Sequence, residues 1–349
     1  MRATMIYGSR DIRVEDRPDP RLLEPGDAIV RVVAACVCGS DLWPYRGIRA
    51  TPKPRPIGHE MVGVVEAVGE GVATVKPGDF VISPFTTSDG TCPSCRRGVT
   101  TGCEHLAGFG SRDPDGHPVD GCQGELVRLP DADGTLVVVP GPVDEALIPS
   151  LLTLSDVMST GHHAAVSAGV GPDTTVVVVG DGAVGLCGVL AAKRLGASRI
   201  IAMSRHADRQ DLARRFGATD IVEERGAEGA ARVKELLGGE LADSVLEAVG
   251  TKESMEQALA SARPGGRVGF VGVPSGGAEL PIRVLFDSNI IVGGGMAPAR
   301  AYIPELLADV LSGAIEPGLV FDLELPLEEA AEAYAAMDER RAIKVLLRP

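Results

Sequence analysis

The hydrophobic pattern changes character near residue 151. Before it, short apolar runs at 28–35, 61–68, 79–83, 124–129 and 135–139 are separated by Gly and Pro, and each predicts a strand. The turns Pro25-Gly26-Asp27 and Pro77-Gly78-Asp79 stand ahead of two of them. Helical periodicity is scarce there, so this part reads as a β-rich barrel or sandwich with inserted loops. After residue 151, apolar runs at 175–179, 199–203, 220–222, 244–247 and 267–271 alternate with helical stretches at 183–195, 207–216, through 234–237 and at 254–262. Strands alternating with helices at this spacing predict a parallel sheet wrapped on both faces. The last 50 residues add helices at 304–311 and 327–337 and a strand at 342–347, expected to return to the first domain. Residues 293–298, rich in glycine, read as a flexible connection.

Composition narrows the class. A length of 349 residues exceeds one ordinary core and suggests two domains. With 44% apolar and 23% charged residues the chain is globular, not disordered or fibrous. Aromatic residues are only 3%, so Val, Leu, Ile and Ala must build the core. A net charge of −14 repels phosphate backbones and anionic lipids, which argues against nucleic acid and membrane partners. No apolar run approaches the roughly 18 residues of a membrane span, and residues 1–16 lack the apolar stretch of a signal peptide, so a cytoplasmic location is expected. Seven cysteines, an odd number without an export signal, make a disulfide framework improbable. Three of them, Cys92, Cys95 and Cys103, crowd into 12 positions, a density that points to metal.

Gly180-Asp181-Gly182-Ala183-Val184-Gly185 follows a predicted strand and opens a predicted helix. In that context the glycines permit a tight turn and the close approach of a pyrophosphate to the helix N-terminus, the mark of a dinucleotide site. The next strand ends 22 residues after Gly182, where a free ribose is usually met by Asp or Glu. Here the residues are Ser204 and Arg205, with Arg209 one helical turn on. A hydroxyl and guanidinium groups suit a 2′-phosphate that a carboxylate would repel, so NADP(H) is expected over NAD(H). The competing explanation is a solvated basic helix face, and Arg214 and Arg215 are assigned to it.

Cys38-Gly39-Ser40-Asp41 and the stretch Gly58-His59-Glu60-x2-Gly63-x5-Gly69-x2-Val72 resemble the zinc motifs of the medium-chain dehydrogenase/reductase family. The glycine-rich turn at 180–185 and Arg263-Pro264-Gly265-Gly266 agree with that family in order, and the resemblance spans essentially the whole chain. It implies an α/β fold: a GroES-like β-rich catalytic domain (1–157 and 297–349) interrupted by a doubly wound Rossmann cofactor domain (158–296). It also implies that Cys38 and His59 ligate a catalytic zinc, with Glu60 a neighbour able to approach the metal. The third ligand, Cys in many members and Asp in some, falls on Asp156; a helix N-cap is the other role open to that residue. Asp41 would orient His59. Ser40 matches the hydroxyl that passes on the substrate proton, but Trp43 stands where many members place the histidine that ends this relay, so the proton must leave otherwise. Trp43 is left to line the substrate pocket or pack in the core. A second lobe in the family binds structural zinc through Cys-x2-Cys-x2-Cys-x7-Cys; here Asp89 replaces the first cysteine ahead of Cys92, Cys95 and Cys103. Carboxylate can complete a tetrahedral zinc site, so a retained ion is expected, the alternative being a metal-free loop with three thiols.

These readings point to a zinc-dependent, NADP(H)-preferring alcohol dehydrogenase interconverting an alcohol with an aldehyde or ketone. A polyol, amino-alcohol or sugar dehydrogenase would use the same zinc chemistry. A non-catalytic NADPH-binding protein, and the family's zinc-free reductases, are disfavoured by Cys38, His59 and Asp156. Family members are commonly dimers or tetramers, and a homo-oligomer is expected.

Overall fold

The computed structural model describes residues 1–274 and 279–349. Contacts divide the chain into two compact units, Met1–Asp156 with Pro298–Pro349, and Val157–Ala297.

The first unit is built on a seven-stranded, mostly antiparallel sheet. Its centre is Ala28–Cys36, flanked by Met61–Val68, with Phe80–Ser83 and Val137–Val138 beyond, while Leu126–Leu129 also pairs with Ala28–Cys36. Val30, Val65, Val81, Val127 and Leu129 are buried together, so branched aliphatic side chains fill this core. The apolar run at 135–139 is only partly strand: a short helix, Ala132–Thr135, takes its start. The charged N-terminal residues form strands Arg2–Gly8 and Asp11–Asp16, which sequence reading did not assign. They pair from Arg2↔Asp16 to Ile6↔Ile12. Ile6 and Ile12 are buried, whereas Arg13 lies on the open side with its guanidinium over the Tyr7 ring. One buried face per strand was enough, and the charges on the other face hid it.

The tail enters this unit as strand Val345–Arg348, antiparallel to Ala28–Cys36 through Leu346↔Cys36 and Leu347↔Ala35. That register brings Lys344 level with the segment that leads to Cys38. The helix that was read from Pro304 starts earlier, at Ala299, and runs to Leu311. Pro304 is the sixth residue of this helix, where its ring forgoes one backbone hydrogen bond without ending the helix, so it did not mark the boundary.

The second unit holds six parallel strands in the order Asp220–Val222, Arg199–Met203, Thr175–Val179, Ala242–Glu247, Ala262–Phe270, Ile291–Gly294. The direction of winding reverses beside Thr175–Val179, the switch point at which doubly wound sheets bind ligands. Ile291–Gly294 corrects the reading of 293–298 as a flexible connection, since Gly293 and Gly294 pair with Gly269 and Phe270 as the sheet's last strand. Glycines carry no side-chain alternation, and backbone pairing alone holds them. No helix among the described residues is long and apolar enough to cross a membrane.

Candidate functional site

Cys38, His59, Glu60 and Asp156 come from three separate stretches of the first unit, yet their donor atoms lie within 4.8 Å of one another. Cys38 follows the central strand and opens a 3-10 turn, Gly39–Asp41, whose Asp41 carboxylate accepts the Cys38 N–H at 3.0 Å. Gly58 turns the chain just ahead of His59 at φ +94°, and a Cβ there would sit 2.5 Å from Gln123. Only glycine is accommodated at that position. Asp156 follows the helix Ile148–Thr153; Ser155 is occupied elsewhere, its hydroxyl donating to the Leu152 carbonyl at 2.6 Å.

His59 Nδ1 lies 3.4 Å from Asp41 Oδ1 and Nε2 lies 3.4 Å from Asp156 Oδ2, so one ring nitrogen is oriented and the other directed at the cluster. The Cys38 sulfur is 3.6 Å from Asp156 Oδ2 and accepts from the Ser40 hydroxyl at 3.4 Å. Burial pushes the Cys38 thiol up, and the Asp156 carboxylate adds to this. Burial works against charge on His59, but Asp41, Cys38 and Asp156 outweigh it and raise the imidazole well above its ordinary value. Buried acidic groups gathered this closely call for a cation, and a thiolate, imidazole and carboxylate set suits zinc with a position left for substrate.

Lys344 was not singled out from sequence. Its ammonium, 1% exposed, donates to Glu60 Oε1 at 2.7 Å and to the Val37 carbonyl at 3.2 Å, while Glu60 Oε2 is buried with no hydrogen-bond partner. Burial alone would depress the Lys344 ammonium, but Cys36 and Glu60 beside it hold it well above its ordinary range. No local signal marks this pair, because 284 residues separate its members. A cavity of about 240 Å³ adjoins the cluster, with Ser40 and His59 in its wall. Trp43 is half-buried and stands outside that wall.

Asp89, Cys92, Cys95 and Cys103 form a second cluster with donor atoms within 4.8 Å. Cys103 Sγ accepts from the N–H groups of Asp89 and His105, each at 3.3 Å, and Cys92 Sγ from that of Cys95 at 3.4 Å. Partial burial would raise the Asp89 carboxyl, but the N–H groups of Cys92 and Thr91 hold it down at about 2. N–H groups aimed at sulfur, with an ionised carboxylate beside them, fit a tetrahedral metal site. Cys103→Ser is expected to lower bound zinc from near two ions per chain to near one, with loss of amide protection across 89–105 by hydrogen exchange. Two ions and full protection retained in the variant would exclude Cys103 as a ligand, and a parent already near one ion would leave the lobe as a metal-free loop.

In the second unit, Gly180 takes φ +119°, and a Cβ on Gly185 would lie 2.0 Å from the Gly180 carbonyl oxygen. The turn therefore packs against the helix Ala183–Arg194 only with glycine. Gly182, the N-cap, faces open space, and its helix start carries no side-chain cap. The N–H groups of the first turn, from Ala183 and Val184 onward, stand over that opening, which fits a dinucleotide pyrophosphate. The Ser204 hydroxyl donates to Asp181 Oδ2 at 2.8 Å, and Arg209 donates to the Asp181 carbonyl at 3.2 Å. Arg205 is exposed and uses only Nε, toward the Glu223 carbonyl at 3.0 Å. Arg225, which sequence reading passed over, reaches the Met203 carbonyl at 3.5 Å. Burial lowers its affinity for a proton and the Arg205 charge lowers it further, while the Asp181 carboxylate acts the other way.

Comparison with known proteins agrees with this construction. Residues 24–141 match the family model described as alcohol dehydrogenase GroES-like domain, and residues 183–312 that described as zinc-binding dehydrogenase. The chain is 34% identical to zinc-type alcohol dehydrogenase B of Aspergillus flavus, covering 100% of this chain and 81% of that one. It is 35% identical to a probable zinc-binding alcohol dehydrogenase of Mycobacterium tuberculosis, covering 100% and 89%. Among solved structures, the alcohol dehydrogenase TADH from Thermus sp. ATN1 superposes with a TM-score of 0.90 at 36% identity, covering 100% and 99%. With matches that run the full length of the chain and a fold shared throughout, this protein belongs to the zinc-type alcohol dehydrogenases of the medium-chain dehydrogenase/reductase family.

Proposed function

We propose that the chain is a zinc-dependent oxidoreductase that interconverts an alcohol with an aldehyde or ketone, using NADP(H) in preference to NAD(H). The observation that carries this reading is the convergence of Cys38, His59, Glu60 and Asp156 within 4.8 Å beside a cavity that Ser40 and His59 help to line. Cys38, His59 and Asp156 would hold the ion, with Glu60 as an alternate ligand. When bound there, zinc supplies Lewis-acid polarisation of the substrate oxygen. Asp41 keeps the His59 ring in one orientation, and Ser40, at the cavity wall, takes the substrate hydroxyl proton. With Trp43 in place of a histidine, that proton passes to solvent at the cavity mouth. Gly180, Gly182 and Gly185 shape the turn for the cofactor, whose nicotinamide supplies the hydride acceptor. Asp89, Cys92, Cys95 and Cys103 would hold the structural ion.

The division of contacts supports a catalytic domain of 1–157 and 297–349 around a cofactor domain of 158–296. A cytoplasmic location belongs to the same reading, supported by the gathering of Cys92, Cys95 and Cys103 with Asp89 as metal donors rather than as a disulfide framework. The sheet edge Ile291–Gly294, with Ile291 half exposed and Phe286 76% exposed on the preceding helix, supports a homodimer or tetramer.

The test pairs elemental analysis with kinetics. Zinc is expected near two per chain after dialysis, and kcat/KM for NADPH above that for NADH by about tenfold or more, as a charge-assisted phosphate contact provides. Replacing both Arg205 and Arg225 by Ser should bring the two cofactors toward parity. A wild-type preference for NADH would sink the cofactor assignment, and a zinc-free chain that still oxidises alcohols would sink the metal.

A further inference from the structure

The cavity beside the metal ligands carries more positive charge than a plain alcohol needs. Its wall includes two guanidinium groups, Arg49 and Arg55, and a single carboxylate, Asp41. Asp41 is already committed. Its Oδ2 accepts the Cys38 N–H at 3.0 Å and lies 3.4 Å from Gln123 Nε2, and its Oδ1 faces His59 Nδ1 at 3.4 Å. Neither arginine has a carboxylate partner among the described residues. Arg55 reaches only the carbonyl of Pro56, at 3.3 Å, and the Arg49 side chain makes no hydrogen bond. Nearby arginines are treated differently: Arg10 and Arg46 both pair with Asp338, at 2.8 and 2.5 Å. In a chain with 48 acidic residues against 34 basic ones, two unpaired guanidinium groups on one small cavity leave a local surplus of positive charge.

Position separates the two ends of this cavity. His59 and Ser40 mark the reacting end, where the substrate oxygen would sit. Arg55 is held by backbone pairing with Ile6 and lies against Gly110, where an added Cβ would come within 3.0 Å of its Nη1. Arg49 is exposed, so it guards the mouth. Ile57, Phe85 and Phe109 supply apolar wall, which leaves the guanidinium groups as its cationic polar groups. At about 240 Å³ the cavity falls below the roughly 300–1,000 Å³ of drug-sized sites, so its occupant is compact.

We infer that the substrate carries an anionic group, a carboxylate or a phosphate, which Arg49 and Arg55 hold while its hydroxyl or carbonyl end meets His59 and Ser40. The inference rests on the zinc alcohol dehydrogenase reading of that site and names its substrate class. Guanidinium forks match a pair of oxygens on either anion, and the shielded position of Arg55 strengthens the contact.

The zinc-replete full chain should be tested with 4-hydroxybutyrate against 4-hydroxybutyramide and with glycerol 3-phosphate against glycerol. In at least one pair, kcat/KM for the anion should exceed that for its neutral counterpart by about tenfold or more, the scale of one charge-assisted hydrogen bond. The pair that shows it decides between carboxylate and phosphate. The ratio should fall toward one in Arg49→Gln/Arg55→Gln, survive in Arg55→Lys, and narrow at high salt because Arg49 is exposed. Parity in both pairs with the neutral alcohols oxidised would overturn the inference and leave the dehydrogenase reading standing. A preference untouched by the double variant would overturn the assignment to these arginines. If no alcohol is oxidised with either nicotinamide cofactor, the dehydrogenase reading fails, and calorimetric titration with the same two anions decides this one. Binding lost in the double variant sustains the anion site, and no binding removes it.

Discussion

Asp156→Ala is expected to remove the catalytic ion and lower alcohol oxidation by about three orders of magnitude or more, about 4 kcal/mol of transition-state stabilisation. Asp156 Oδ2 lies 3.4 Å from His59 Nε2 and 3.6 Å from the Cys38 sulfur, so its loss leaves a thiolate and an imidazole alone to hold the ion. Glu60 does not substitute freely, because Lys344 anchors one of its oxygens at 2.7 Å. Elemental analysis should find zinc falling from near two to near one per chain, with the ion of the Asp89 lobe retained. Asp156→Cys supplies another zinc ligand and should restore the ion and much of the rate. Two zinc ions retained in the alanine variant, with turnover within tenfold of the parent, would exclude Asp156 as a ligand.

The second large effect lies one layer out. Lys344→Met leaves the Glu60 carboxylate fully buried without its counter-charge, an arrangement that costs about 3–5 kcal/mol. Thermal unfolding of the first unit should fall by about 10 °C, on the usual scaling for a unit of this size. The penalty depends on pH. An unpaired buried carboxyl has its folded pKa raised above the unfolded value, so the variant retains stability while Glu60 is protonated and loses it as pH rises through that pKa. The deficit against the parent should therefore grow from about pH 5 to pH 8. Adding Glu60→Gln should recover most of it, because no charge then remains to be compensated. A pH-independent loss that Glu60→Gln does not relieve would mean that Lys344 acts through packing alone.

Local sequence carried the parts of this protein whose cause is local. Thr175–Val179, Arg199–Met203 and Met61–Val68 were read with their observed bounds, because each is an apolar run closed by turn residues. The glycines of 180–185 showed themselves through the strand before them and the helix after. Cys38, His59, Glu60 and Asp156 could all be named through the family resemblance, which short motifs in order along the chain carry. Ile291–Gly294 escaped, since glycine strands are held by a neighbour's backbone and leave no pattern. Lys344 escaped for a stronger reason. Only the pairing of Leu346 with Cys36 carries it beside Glu60, and a charged residue near the chain's end otherwise reads as surface. Arg49 and Arg55 likewise look like ordinary surface charges. What makes them a binding surplus is that Asp41, the one carboxylate on their cavity, is occupied by Cys38, Gln123 and His59. Sequence alone determined the family, the alternation of strands and helices over 175–271 and the candidate ligands, because residue types and short spacings encode them. Which charges are paired, buried or left open was decided by tertiary structure, because a charge's partner is set by distance in space and distant segments supply it.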